Sequence, residues 1–143
     1  MTDGQGDGQS LTVVDAAAQL SFAVLEVLTR VAATENLSVT QLRVLGILRD
    51  RTPTMADLAD RLGLDRSSVT GLVDRAERRG LVRRAASPTD ARSTVVAMTD
   101  EGRTVGARLE ALYDAAVSDL LADADDADRA ALARVTASLP RHR

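Results

Sequence analysis

The chain has 143 residues, 45% of them apolar, and a formal net charge of -3, enough for one domain-sized unit that buries roughly two-thirds of its unfolded surface. With no cysteine, disulfides, thiolate metal sites, thioester chemistry and thiol redox sensing are excluded. The one histidine, His142, stands next to the C-terminal residue and leaves no Ser-His-Asp arrangement or histidine zinc set, and Phe22 and Tyr113 are too few for a base-stacking platform.

The opening "MTDGQGDGQS" is polar and acidic, reads as a disordered tail over 1–10, and carries no basic segment followed by an apolar run. No uninterrupted apolar stretch reaches the roughly 18 residues of a membrane span, so the expectation is a cytoplasmic chain with no membrane partner. From Leu11 to Ala33, Val13, Ala17, Leu20, Val24, Leu28 and Val31 recur at spacings of three and four, which predicts a long amphipathic helix. In "LSVTQLRVLGILRD", Ser38 and Gln41 form a capping box before a second helix. "TPTMADLADRLGL" predicts a short third helix capped by Thr54 and stopped at Gly63. Asp65 caps a fourth, which runs to Gly80 with Val69, Leu72, Val73 and Ala76 inward.

The short link between the third and fourth helices has the turn chemistry of a helix-turn-helix, whose second helix can enter a major groove. With the inward set fixed, Arg66, Ser67, Ser68, Thr70, Gly71, Asp74 and Arg75 face outward. Guanidinium pairs bidentately with guanine, and hydroxyls reach base edges or phosphate. Asp74 would repel a polyanion, and a pair with Arg78 at i, i+4 is its ordinary explanation. "LVRR" and "STVVAM" then read as two strands around the turn cluster "AASPTDA", a β-hairpin wing with Arg92 near its tip. Arg83 and Arg84 alternate on a strand, so at most one faces phosphate. Asp90 either orients an arginine of the wing or merely ends the turn. Charge is uneven along the chain: Asp60 to Arg92 holds eight arginines against five acids, whereas Glu110 to Arg129 holds seven acids against one arginine. Such a division suits a polyanion at one end and its repulsion at the other.

Leu37 to Gly102 resembles the MarR (multiple antibiotic resistance regulator) family of dimeric winged-helix transcription regulators. The resemblance is carried by "LSVTQ", "MADLADRLGLDRSSVTGLVDRAERRGLV", "RRAASPTDAR" with its Asp-x-Arg at Asp90 and Arg92, and "MTDEG". Gly71 departs from the pattern, standing where the family often has a large polar side chain. The resemblance implies a mainly α fold with a small β-hairpin wing. A dimerisation helix spans 11–36, a winged helix-turn-helix DNA-binding domain 37–99, and C-terminal dimerisation helices 100–143. It implies a homodimer acting as a repressor on a near-palindromic double-stranded operator. The expected contacts are Arg66, Ser67, Ser68, Thr70, Gly71, Arg75, Arg83, Arg84 and Arg92, with Asp90 orienting the wing. A small anionic or phenolic ligand between the dimer helices and the winged domain would release it.

The apolar stripes agree independently: Val105, Leu109, Leu112, Ala116 and Leu120, then Leu132, Val135 and Leu139, offer more apolar face than a small winged-helix core can cover. "DADDAD" lacks the central glycine and terminal glutamate of a calcium loop and reads as an acidic turn entering a helix, so no metal or cofactor is expected. The alternative reading is a helical dimeric interaction module that has lost operator binding. An enzyme would have to work without His, Cys or Lys and is not expected.

Overall fold

The computed structural model describes residues 10–140, so all but the last residue of the expected tail, and His142, lie outside the described residues. In chain order the elements are α1 (Val13–Ala33), α2 (Val39–Leu48), α3 (Met55–Leu62), α4 (Arg66–Arg78), β1 (Val82–Ala86), β2 (Thr94–Met98), α5 (Asp100–Leu120) and α6 (Asp126–Ala137). Every helix starts on a side chain that accepts a hydrogen bond from the backbone N–H three residues on: Thr12, Ser38, Thr54, Asp65, Thr99 and Asp125. Ser38 with Gln41 and Thr54 with Asp57 complete reciprocal capping boxes. Gly63 closes α3 at a φ of 66°, a left-handed turn that a Cβ would strain.

The core gathers around α4. Its Val69, Leu72, Val73 and Ala76 are buried and the helix packs against α3 and β1, with Leu58 and Val96 also fully enclosed. The hairpin is antiparallel, in register from Val82 opposite Met98 to Ala86 opposite Thr94. The segment before α3 adds a third, minimal strand, which the sequence pattern did not indicate. Thr54 bridges Val95, and the Val96 N–H donates to the Pro53 carbonyl at 2.9 Å. Proline sits at this edge at no expense because its missing N–H is not needed there.

The terminal helices differ from this packed centre. In α1 only Val27, Val31 and Ala32 are buried. The expected inward stripe is not covered at its start, where Val13 and Ala17 are exposed. In α5, Val105 and Leu109 are buried but Leu112 and Leu120 are not, and α6 buries no residue. Over an 18-residue window α1 has a mean hydropathy of 1.4, which by length and composition is enough to cross a membrane. The sequence expectation rested on unbroken apolar runs, and Asp15, Gln19, Glu26 and Arg30 interrupt this one.

Gly102 locks α5 to the winged unit. A Cβ there would lie 2.0 Å from the Leu81 carbonyl oxygen and 2.7 Å from Met98 Cγ, so only glycine admits this approach. The Thr99 hydroxyl accepts the Gly102 N–H at 3.0 Å and donates to the Gly80 carbonyl, tying the helix start to the turn after α4. Gly102→Ala should therefore destabilise by about 1 to 3 kcal/mol, as overpacking does. Thermal unfolding checks this, and an unchanged or raised Tm would contradict the contact.

Candidate nucleic-acid interface

Because four residues of α4 point into the core, the rest of the helix is displayed. Arg66, Ser67, Ser68, Thr70 and Arg75 are exposed and Gly71 is half-buried. Two grooves flank this face. One, of about 490 Å³, brings Arg66 and Thr70 together with Arg92 and Thr94 of the wing and with Thr54 at the start of α3. The other, of about 470 Å³, sets Ser67, Ser68, Gly71 and Arg75 against Ser38 and Thr40 at the start of α2. Sequence reasoning missed the membership of Ser38, Thr40, Thr54 and Thr94. Ser38 and Thr54 were legible only as caps, although the start of a helix is also where backbone N–H groups and the helix dipole favour an anion.

The hydroxyls of α4 are turned inward. Ser67 Oγ donates to Asp65 Oδ1 at 2.6 Å, Ser68 Oγ to Asp65 Oδ2 at 2.8 Å, and Thr70 Oγ1 to the Arg66 carbonyl at 2.8 Å. A hydroxyl has one proton, so none can donate to a phosphate without leaving its present partner. The two serine hydroxyls and the Ser68 N–H hold the Asp65 carboxyl well below the usual carboxylate range. The sign follows: Asp65 supports the helix start throughout neutral pH, and that support is lost only as pH falls towards its depressed folded-state value. Attraction for an anion comes instead from guanidinium. Arg66, Arg75, Arg78, Arg83 and Arg92 are exposed, and among the described residues their side chains make no hydrogen bond or ion pair.

Arg84, expected among the contact residues, also lines the groove of Arg66 and Arg92, but its guanidinium is held by carboxylates. Its Nη2 meets Asp74 Oδ1 at 2.6 Å and its Nη1 meets Glu77 Oε2 at 2.5 Å, while its backbone N–H donates to Glu77 Oε1 at 3.2 Å. Partial burial works against its charge, but the bonds to Asp74 and Glu77 more than offset this and its pKa lies above the ordinary arginine value. The expected Asp74–Arg78 pair is thereby corrected: β1 returns alongside α4, and this tertiary partner displaces the local one. Arg83, its neighbour on the strand, is exposed. At the tip, Asp90 Oδ1 accepts the Arg92 backbone N–H at 2.9 Å and Oδ2 accepts the Ser93 hydroxyl at 3.1 Å. Asp90 thus closes an Asx turn and sets the backbone of Arg92, with no bond to a guanidinium among the described residues.

If the Arg84–Asp74 pair braces the wing against α4, a double-mutant cycle on Arg84→Ala and Asp74→Ala should give a coupling of about 0.5 to 1 kcal/mol in chemical denaturation. Additive losses would contradict the brace.

Residues 35–93 match the family model described as MarR family. A curated relative, the uncharacterised HTH-type transcriptional regulator YfiV of Bacillus subtilis (strain 168), is 37% identical over 71 residues, 49% of this chain and 44% of its own length. The match thus spans under half of that relative. Apo MarR from E. coli superposes with a TM-score of 0.77 over 92% of this chain and 99% of its own, at 20% identity, a likeness of fold. The transcriptional repressor CouR bound to a 23-mer DNA duplex is 29% identical, with a TM-score of 0.76 over 89% of this chain and 91% of its own. CouR from Rhodococcus jostii RHA1 bound to p-coumaroyl-CoA is 26% identical, with a TM-score of 0.75 over 89% and 90%. The motif-bearing segment 35–93 thus matches the MarR family, and the chain around it has the winged helix-turn-helix fold of solved MarR-family structures.

Proposed function

We propose that the chain acts as a cytoplasmic homodimer that represses transcription by binding a near-palindromic duplex operator, and that a small anionic or phenolic ligand releases it. The observation that carries the reading is the division of labour among the arginines. Arg43 and Arg79 are engaged by backbone carbonyls and Arg84 by carboxylates, whereas Arg66, Arg75, Arg83 and Arg92 stand exposed on α4 and the wing. Uncommitted guanidinium on a protruding helix suits phosphate and the guanine edge. CouR bound to a DNA duplex is a relative with the same fold.

Dimerisation through 11–36 and 100–143, around a DNA-binding unit of 37–99, is supported by what the terminal helices leave bare. Val13 is 86% exposed, Phe22 73%, and Val135 and Leu139 59% each, all on or beside α1 and α6. A two-fold copy offering the same faces is the economical cover, since a symmetric interface is self-complementary.

A cleft of about 730 Å³ lies between α1, α2 and α5, within the range of small-molecule sites. Leu28, Leu42 and Tyr113 line it, with Arg51 and Arg103 at its edges. Gly46 and Gly106 also face it. Nothing lies within 4 Å of a Cβ at Gly46 and only Met98 Sδ, at 3.8 Å, near one at Gly106, so these two glycines widen the cleft without an internal need. Arg49 is already held by Asp50 at 3.1 Å and Glu110 at 2.8 Å, which leaves Arg51, Arg103 and the Tyr113 hydroxyl to orient a carboxylate or phenol. Because α5 also packs against the winged unit, an occupant there can bias the angle between dimer helices and α4.

Selection of bound fragments from genomic DNA, followed by footprinting, tests the reading. Protection should cover two half-sites about one helical turn apart, and Arg92→Ala should weaken binding by about 1 to 3 kcal/mol while leaving the sedimenting dimer intact. If no duplex is enriched by a folded dimer, the chain is an interaction module that has lost its operator.

A further inference from the structure

Gly71 lies inside α4, in ordinary helical conformation, and glycine there destabilises a helix relative to alanine. The fold does not call for it. Gly63 and Gly80 have positive φ, and Gly102 meets a carbonyl, but a Cβ at Gly71 would touch only the far end of a flexible side chain, Arg75 Nη1, at 3.4 Å. Its explanation therefore lies outside the chain.

The surroundings say what approaches. Ser67 and Ser68 precede Gly71 by four and three residues and Arg75 follows by four, so all three share its face of the helix. They rise around it, and with Ser38 and Thr40 they wall the groove whose floor includes Leu72 and whose rim includes Leu64, 37% exposed. The centre of the displayed face is thus a hollow at backbone level, lined mainly by hydroxyls with Leu64 and Leu72 among them and an uncommitted guanidinium beside it.

We propose that Gly71 is a specificity-determining residue of α4: its bare Cα admits the thymine 5-methyl edge of an A·T pair in the major groove, while Arg75 engages the neighbouring base or phosphate. Apolar contact with the thymine methyl is one of the few ways to tell that pair from the others. A side chain of any size would hold the duplex off and lengthen the Arg75 contact. The assignment rests on the duplex-binding reading above and adds a residue and a base to it.

The test uses the full-length dimer, its selected operator, and an unrelated duplex of equal length. Gly71→Ala should raise Tm by about 1 to 4 °C, because it restores helix propensity. It should weaken operator binding about fivefold or more, the lower end of a lost groove contact. Affinity for the unrelated duplex, which has no methyl placed to be lost, should fall by less. Replacing thymines of the operator one at a time by deoxyuridine, which removes only the methyl, should find one position per half-site where wild type loses affinity and Gly71→Ala loses nothing further. Equal operator affinity of the two proteins overturns the assignment, as does an equal loss on both duplexes, or an operator with no methyl-sensitive position. A wild-type dimer that binds no duplex overturns it together with the reading beneath it, and is recognised by failing before any variant is made.

Discussion

Four small side chains, Val69, Leu72, Val73 and Ala76, none more than 7% exposed, pin one face of α4 into the core, and what the protein offers to its surroundings follows from that constraint. A helix held along one stripe cannot rotate without opening cavities in a close-packed interior. Its other face is therefore displayed in one register. Further ties hold the frame. Arg43 donates to the carbonyls of Arg61 and Leu62 at the end of α3, and Arg79 to those of Glu35 and Asn36 before α2. These satisfy carbonyls that helix ends and turns would otherwise leave to water. Arg84 then couples the wing to the same helix, so α4 and the hairpin present their free arginines as one surface.

Packing is lopsided along the two long helices. The start of α5 and the end of α1 enter the winged core through Val105, Leu109, Val27 and Val31, while the opposite ends of both helices carry exposed apolar residues. Each long helix is thus anchored at one end and open at the other. A second copy seated on the open ends and a molecule in the cleft near the anchored ends would act on the same lever. The ion pair from Arg49 to Glu110 crosses the junction between lever and winged unit, and that from Arg108 to Glu35, at 2.9 Å, ties α5 to the turn after α1. Glu35 is half-buried, whereas the Arg49–Glu110 pair is well exposed, and exposed pairs yield to small rearrangements.

Much of this was legible in the sequence because it is local. Helix caps, the stop at Gly63 and the inward stripe of α4 depend on residues three or four apart, and all of them stand as read. What was not legible depends on partners far along the chain. Asp74 found Arg84 ten residues on, through a returning strand, in place of Arg78 on its own helix. The Thr54–Val95 bridge joins segments that share no pattern. The serines of α4 look like groove contacts in a list of outward residues, yet their protons belong to Asp65. Gly71 was visible as an outward-facing position and a departure, without a reason for its being glycine. Its meaning needed the demonstration that nothing in the fold occupies or requires the space it leaves.

The salt dependence of duplex binding tests the central claim most directly, because counterion release counts the phosphates that the displayed arginines would neutralise. Two copies of the α4 and wing arginines meeting roughly 6 to 10 phosphates predict that the logarithm of affinity falls against the logarithm of salt concentration with a slope of about -5 to -9. Reversing the charge of Arg66 and Arg75 should lower affinity and flatten the slope together, whereas reversing Arg134, on α6, should do neither. Binding that is nearly independent of salt, or indifferent to Arg66 and Arg75, would mean that these arginines are a solvated face and that α4 does not read DNA.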